Sequence, residues 1–325
     1  MAQQLFQRAC RVTIDRQTSS SATSFGGANF TPAGPATSTP ITTQTTTTTT
    51  TTTRIFQSVF DPAAQVPGLR VKFKFRRTLR KEPNTAEISI YNINKDHRAA
   101  MNARYDQVTL EAGYADGIGL IFSGQARTID HVREGADWVT KIQIGDAEVP
   151  YRYGRKAQSY APGVGILQVA KDLIGTLGPM TAGSPAVIAQ ALTGVFQSGY
   201  AVHGPAAGEL SRVLRGSGLE WSIQHGKVQV LPIGKANTET AVLLTPQTGL
   251  VGSPEWGTPE PSLPRMSNHT LKFKALIQPT LNPGALASIQ SASAKGLFRI
   301  QSIEGTGDTH GSSDWILDCE GSPTS

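Results

Sequence analysis

From Leu69 to Arg77, the apolar residues Val71, Phe73 and Phe75 alternate with the cations Arg70, Lys72, Lys74 and Arg76. Successive side chains of an extended strand point to opposite faces, so this spacing collects the large apolar groups on one side and the cations on the other. A helix would scatter both sets around its circumference. The stretch therefore has to be a half-buried strand. Lys81-Glu82-Pro83-Asn84 supplies turn chemistry, and Ala86, Ile88 and Ile90 then alternate with Glu87, Ser89 and Tyr91, which predicts a hairpin with a return strand.

The same reading extends along much of the chain. Phe6 to Arg16 forms a first strand, with Phe6, Ala9, Val12 and Ile14 giving a partly alternating apolar face. Val108 to Tyr114, Leu120 to Val132 and Trp138 to Ile144 are further strands, and Asn94 caps a short helix reaching Arg104. After Pro150 the period changes. Ile166, Val169, Ala170, Leu173, Ile174 and Leu177 stand at helical spacing, and Ser184 caps a second helix to Leu192. A short strand from Tyr200 to His203, a helix from Ala206 to Arg215 and a hairpin from Leu219 to Val230 turning at His225-Gly226 complete a β-α-β-β module. Strand patterning resumes at Thr270 to Ile277, Ala285 to Ser291, Phe298 to Ile303 and Trp315 to Cys319.

One segment resists this treatment. Residues 17–68 are rich in Ser, Thr, Ala, Gly and Pro, and Thr45 through Thr53 is an unbroken threonine run. Threonine favours strands where something templates the pairing, but so little apolar burial does not offset the ordering entropy, so the expectation is a mobile loop. An adhesive or glycosylated tract is the alternative. Pro254, Pro259, Pro261 and Pro264 give Ser253 to Pro264 the composition of a linker.

A chain of 325 residues exceeds what one core usually serves, and 33 Gly with 20 Pro favours many turns and short strands. The expected fold is α+β, mainly β. Residues 1–16 and 69–150 form a first β domain, 17–68 the disordered Thr-rich excursion, 151–250 an inserted small α/β module, and 251–325 a C-terminal β segment that rejoins the first domain.

The net charge of +6 is local, much of it lying between Arg70 and Lys81. Phe73 and Phe75 point away from those cations and cannot stack beside them, which disfavours a single-stranded nucleic-acid groove. Arg70, Lys72, Lys74 and Arg76 are instead expected to be a solvated face or an interface. Cys10 and Cys319 are too few for a disulfide framework or a cysteine zinc site. No apolar run is long enough to span a membrane, and the N-terminus has no signal-peptide pattern.

A search for catalytic constellations finds little. His97, His131, His203, His225, His269 and His310 are scattered, without the helical pair that a zinc helix requires. Gly163-Val164-Gly165 opens a helix, but Gln168 stands where a phosphate cradle has its third glycine. Asp308, Asp314, Asp318 and Glu320 lack calcium-loop spacing and read as a solvated hairpin. There is no Gly-x-Ser-x-Gly elbow, while paired carboxylates for glycoside cleavage stay open because the fold sets their separation. No catalytic residue, cofactor or metal ligand is expected.

Three stretches carry a resemblance. They are Glu82-Pro83-Asn84-Thr85-Ala86-Glu87-Ile88-Ser89-Ile90-Tyr91-Asn92-Ile93 with Val108 to Tyr114; Ile121-Phe122-Ser123-Gly124 with Asp137-Trp138-Val139-Thr140; and Leu281-Asn282-Pro283-Gly284 with Gly296-Leu297-Phe298-Arg299-Ile300 and Ser313-Asp314-Trp315. Their order resembles the phage tail hub family, which includes late-control D proteins and the hubs of contractile and Mu-like tails. Together with the β-α-β-β module, the likeness covers most of the chain outside residues 17–68, and the Thr-rich excursion departs from the pattern.

The resemblance implies tube-like β-barrel domains in a homotrimeric ring, in the virion baseplate, made in the host bacterial cytoplasm. Its implied partners are a distal tail or tube protein, a central spike, tip or fibre protein, the tape-measure protein and DNA in transit, without enzymatic activity. A distal tail ring or tube-like protein and a tail-tip cell-wall hydrolase are the alternatives.

Overall fold

The computed structural model describes residues 8–25, 43–59, 68–101, 105–114, 117–237, 240–258, 269–310 and 315–324. In chain order the first elements are β1 (Arg8–Phe25), β2 (Thr43–Gln57), β3 (Val71–Thr78), β4 (Thr85–Tyr91), α1 (Lys95–Ala100), β5 (Gln107–Tyr114), β6 (Gly117–Glu134) and β7 (Asp137–Gly145). A middle group comprises α2 (Glu148–Tyr153), β8 (Arg155–Tyr160), β9 (Val164–Gly165), α3 (Ile166–Leu177), α4 (Ser184–Ala191), β10 (Val195–Phe196), β11 (Tyr200–Pro205), α5 (Ala206–Val213), β12 (Leu219–Gln224) and β13 (Lys227–Pro232). The last are β14 (Ala241–Leu244), β15 (Leu250–Gly257), β16 (Thr270–Leu276), β17 (Leu286–Gln290), β18 (Lys295–Asp308) and β19 (Trp315–Pro323).

Thirteen strands share one sheet, in the order β15-β16-β19-β18-β3-β4-β7-β6-β5-β1-β2, with β17 also on β18 and β14 on β17. The β3–β18 ladder, Arg76 opposite Glu304 and Lys74 opposite Thr306, joins the early strands to the late ones. The alternation in β3 does what the sequence predicts: Val71, Phe73 and Phe75 are buried. Phe73 lies 5.4 Å from Trp315 and Phe75 lies 6.5 Å from Phe122, ring centre to ring centre, so both ends of the sheet feed one core. Gly305 and Gly307 of β18 make room for this packing, since a Cβ on Gly305 would come within 2.2 Å of the Phe75 ring. Asn94 caps α1 by accepting from the His97 N–H at 2.7 Å, as expected.

The middle elements have a second core, formed by α3 and α5 with the β12–β13 hairpin: Val169, Leu173, Ile174, Leu210, Ile223 and Val230 are all buried there. Leu244 and Leu250 belong to the first core. The expected Ser184 cap is not observed. Gly183 is the N-cap at φ 87°, and Ser184 is buried inside the first turn, where its Oγ accepts from the Val230 N–H at 2.9 Å.

Two further expectations need correction. The threonine tract is not an unpaired loop: β2 runs through Thr45–Thr53 and pairs with β1 from Arg11–Gln57 to Phe25–Thr43. β1 supplies the template, anchored where Val12, Ile14 and Phe56 enter the core. Residues 26–42 lie outside the described residues. The proline-rich linker reading also fails over residues 253–257, which belong to β15; Pro254 is tolerated there because β15 is an edge strand with a bulge between Val251 and Glu255.

Candidate functional site

Lys72, Lys74 and Arg76 of β3 face outward, and the strands on either side set carboxylates among them. Lys74 stands opposite Glu87 of β4, while Arg76 and Lys72 stand opposite Glu304 and Asp308 of β18. One strand further, Glu304 faces Asp318 of β19, and Asp318 and Glu320 face Lys274 and Lys272 of β16. Lys272 in turn faces Glu255 of β15. The stripe that looks like a positive patch in one dimension is therefore one row of a face on which both signs of charge are interspersed.

Several of these neighbours touch. Arg70 grips Asp308 with two parallel bonds, Nη2–Oδ2 at 2.6 Å and Nε–Oδ1 at 3.1 Å. That bidentate bond holds the Asp308 carboxyl below its usual range and raises the guanidinium. Arg76 meets Glu304 at 3.2 Å and Lys274 meets Asp318 at 3.4 Å. Exposed pairs of this kind contribute about 0–1 kcal/mol each, so their larger effect is to flatten the potential of the face. The surface is hollowed: a cavity of about 860 Å³ over β15, β16, β19 and β18 and one of about 410 Å³ over β3, β4 and β7 share Arg76 and Glu304 as lining.

At the ends of the central strands β3, β4 and β7 the second unit is held by a buried polar network. Parity along β3 carries Arg77 to the inner face, where its Nη1 donates to the Ile121 carbonyl and its Nη2 to Gln224 Oε1, both at 3.2 Å. Asn84 accepts from Thr78 N–H at 2.8 Å and donates to the Ile223 carbonyl at 2.7 Å. Gln224 donates to the Thr78 carbonyl at 2.8 Å. Asp146, 1% exposed, accepts from the backbone N–H groups of His225 (2.9 Å) and Gly226 at the tip of the β12–β13 hairpin. Burial pushes Asp146 up to about 6 against the pull of those bonds and of Arg77. Burial, then the Arg77 charge, pushes the His225 ring down to about 3. A second buried tie joins Arg299 of β18 to Glu220 of β12.

The chemical motifs weighed in the sequence do not converge. Among the described residues no three His, Cys, Asp or Glu side chains group as a metal site. Cys10 and Cys319 are buried free thiols, raised by that burial. The late carboxylates are not a simple solvated hairpin. Asp308 is buried against Arg70, and Glu320 is buried and accepts from Thr270 Oγ1 at 2.7 Å; Asp318 is exposed, and Asp314 lies outside the described residues. Val164-Gly165 pairs with Val195-Phe196 and leads into α3, a plain helix entry. Sequence reading missed Arg77, Asn84, Asp146 and Gln224. The available signal was Arg77 itself, a cation at an inward position of an alternating strand.

No family model matches the chain, and a search of curated proteins returns no match. Solved structures do match. The 43 kDa tail protein of prophage MuSo2 from Shewanella oneidensis aligns with a TM-score of 0.53 and 9% identity over 83% of this chain and 94% of its own. A tail protein from Neisseria meningitidis MC58 aligns with a TM-score of 0.54 and 8% identity over 78% and 95%. The E. coli c3393 protein, a type VI secretion component with structural similarity to the T4 tail proteins gp27 and gp5, aligns with a TM-score of 0.53 and 11% identity over 79% and 74%. The chain thus has the mainly β fold of phage tail proteins, in agreement with the hub-like resemblance of its sequence. Among the described residues no helix is long and apolar enough to cross a membrane.

Proposed function

We propose that this chain is a structural hub subunit of a phage tail baseplate, one that forms a homotrimeric ring joining the tail tube to the central spike or tip and lines the channel through which the genome leaves. Its partners in this reading are a distal tail or tube protein, the spike, tip or fibre protein, the tape-measure protein, and DNA in transit. It performs no catalysis. The observation that carries the reading is the mixed-charge face, on which acidic and basic side chains are interspersed over six strands from Glu255 of β15 to Glu87 of β4.

A cationic wall would bind passing DNA, because each phosphate it neutralises releases counterions and adds affinity. A wall in which Lys72, Lys74, Arg76, Lys272 and Lys274 are interleaved with Glu87, Glu304, Asp318 and Glu320 stays wetted and polar without that attraction. Electron microscopy and light scattering on the full chain with its tail partners test the ring: a threefold ring with an axial channel is expected, and a persistent monomer overturns it. Reversing Glu87, Glu304 and Asp318 to Lys should leave particles that assemble but release DNA more slowly, with the defect relieved by salt. Failure to assemble would assign the face to a subunit contact instead.

A further inference from the structure

The pairing of β1 with β5 ends at Asp15–Gln107, but its pairing with β2 continues for ten more positions, nine of them the uncharged run from Gln17–Thr51 to Phe25–Thr43. Over that length, about 30 Å at the rise of a strand, the chain is a two-stranded ribbon with no third strand on either side among the described residues. Among the described strands, none pairs with either outer edge of the ribbon. A lone two-stranded ribbon is at best marginally stable in water. This one has no apolar face of its own to add, since eight of its nine β1 residues and all of its β2 residues are Ser, Thr, Ala or Gln.

Open edges are normally guarded by charge, proline, glycine or a bulge. The edge strand at the other end of the sheet is guarded in this way: β15 carries Pro254 and a bulge between Val251 and Glu255. Residues 17–25 and 43–53 contain no Lys, Arg, Asp, Glu, Pro or Gly, and their ladder has no register shift. An unguarded edge of this length is a pairing surface. Each ribbon presents one free β1 edge and one free β2 edge, so the two needs are complementary between copies.

We infer that the Thr-rich ribbon is an oligomerisation arm, in which the free β1 edge of one copy pairs with the free β2 edge of the next. Three ribbons joined head to tail close into a six-stranded antiparallel tubule with no remaining edge. A barrel of about eight strands has an interior just wide enough to be filled by side chains, so a six-stranded one suits a sequence of small residues. The partner is a second copy of this chain, because a near-homopolymer offers no side-chain pattern with which to select a different protein, whereas backbone pairing between its own two edges needs none. This inference rests on the ring reading and assigns the element that closes the ring.

The test is made on the full chain. Native mass is measured for wild type and for Thr47→Pro/Thr49→Pro, with circular dichroism and thermal melting as the folding control. Separately, chains carrying Ser20→Cys are mixed with chains carrying Thr47→Cys, Thr48→Cys or Thr49→Cys and oxidised; Cys10 and Cys319 are buried and do not compete. The expected results are a wild-type trimer, at least a tenfold rise in the concentration needed to hold the proline variant together, and disulfides between unlike chains. A proline variant that stays as trimeric as wild type overturns the arm and leaves the ring standing. Disulfides only between like chains overturn the head-to-tail pairing. A wild-type monomer, with and without tail partners, removes the ring reading and this inference together.

Discussion

Asp146 and His225 meet at the hairpin tip that docks the second unit, and their ionisations oppose each other as pH falls. Asp146 is raised from 3.8 to about 6 by burial. Between those values the folded protein holds a proton that the unfolded chain has released, so this group makes the fold more stable as pH drops from above 6 to below 4. The separation of roughly two units corresponds to about 3 kcal/mol at 1.36 kcal/mol per unit. His225 is lowered from 6.5 to about 3, chiefly by burial and then by Arg77. Between those values the unfolded chain holds the extra proton, so this group costs stability over the same window, by about 3 kcal/mol at pH 4 before a discount for partial exposure. The two contributions nearly cancel from pH 6.5 to pH 4.

Asp146→Asn keeps acceptor capacity at the hairpin tip but removes one side of that balance. Urea denaturation of wild type and variant at pH 7 and pH 4 should show the variant losing about 2–3 kcal/mol more than wild type on acidification, because His225 then acts alone. His225→Asn, a residue that tolerates the observed φ of 54°, should shift the other way by a similar amount. Comparing variant with wild type at each pH cancels the titration of every other carboxylate. If both variants keep the same difference from wild type at pH 7 and pH 4 to within about 0.5 kcal/mol, the opposed-titration argument is wrong.

Gly305→Ala should cost about 1–3 kcal/mol by urea denaturation, because its Cβ would sit 2.2 Å from the Phe75 ring and 3.0 Å from Leu317; a neutral result would show that the ring has room to swing away. Arg299→Met should cost about 3–5 kcal/mol by leaving the largely covered Glu220 carboxylate without its cation, and Arg299→Met combined with Glu220→Leu should recover most of that loss. A double variant no better than the single one would point to partners of Arg299 other than Glu220. Cys10 and Cys319, buried and raised, should react with a thiol reagent only after denaturation, as followed by absorbance; prompt labelling of the native chain would contradict their burial.

Where one local rule determines an element, the sequence was enough. Alternation in β3 and β4, the Asn94 cap and the apolar spacing of α3 each depend on a few adjacent residues, and each appears in the structure as read. Ser184 shows the limit of such rules: glycine at 183 adopts a positive φ that starts the helix one residue earlier and frees the serine hydroxyl to bond the Val230 backbone. The threonine tract shows another. The expectation of disorder follows from its own composition, and its pairing follows from β1, about thirty residues away in the chain and anchored in the core through Val12 and Ile14.

The candidate face lies beyond local rules for a further reason. Which charge stands beside Lys72 or Arg76 is decided by the register of β18, some 230 residues later, and a shift of one residue would turn Gly305 outward and Glu304 into the core. That register is itself set by packing that the sequence shows only in part. Phe73 and Phe75 fit because Gly307 and Gly305 lie opposite them, so the same two glycines that admit the aromatic rings place Glu304 beside Arg76 and Asp308 beside Lys72. The charge pattern outside and the aromatic packing inside are therefore a single constraint. A substitution at Gly305 should disturb the outer ion pairs as well as the core, although the added side chain would enter the core beside Phe75 and Leu317.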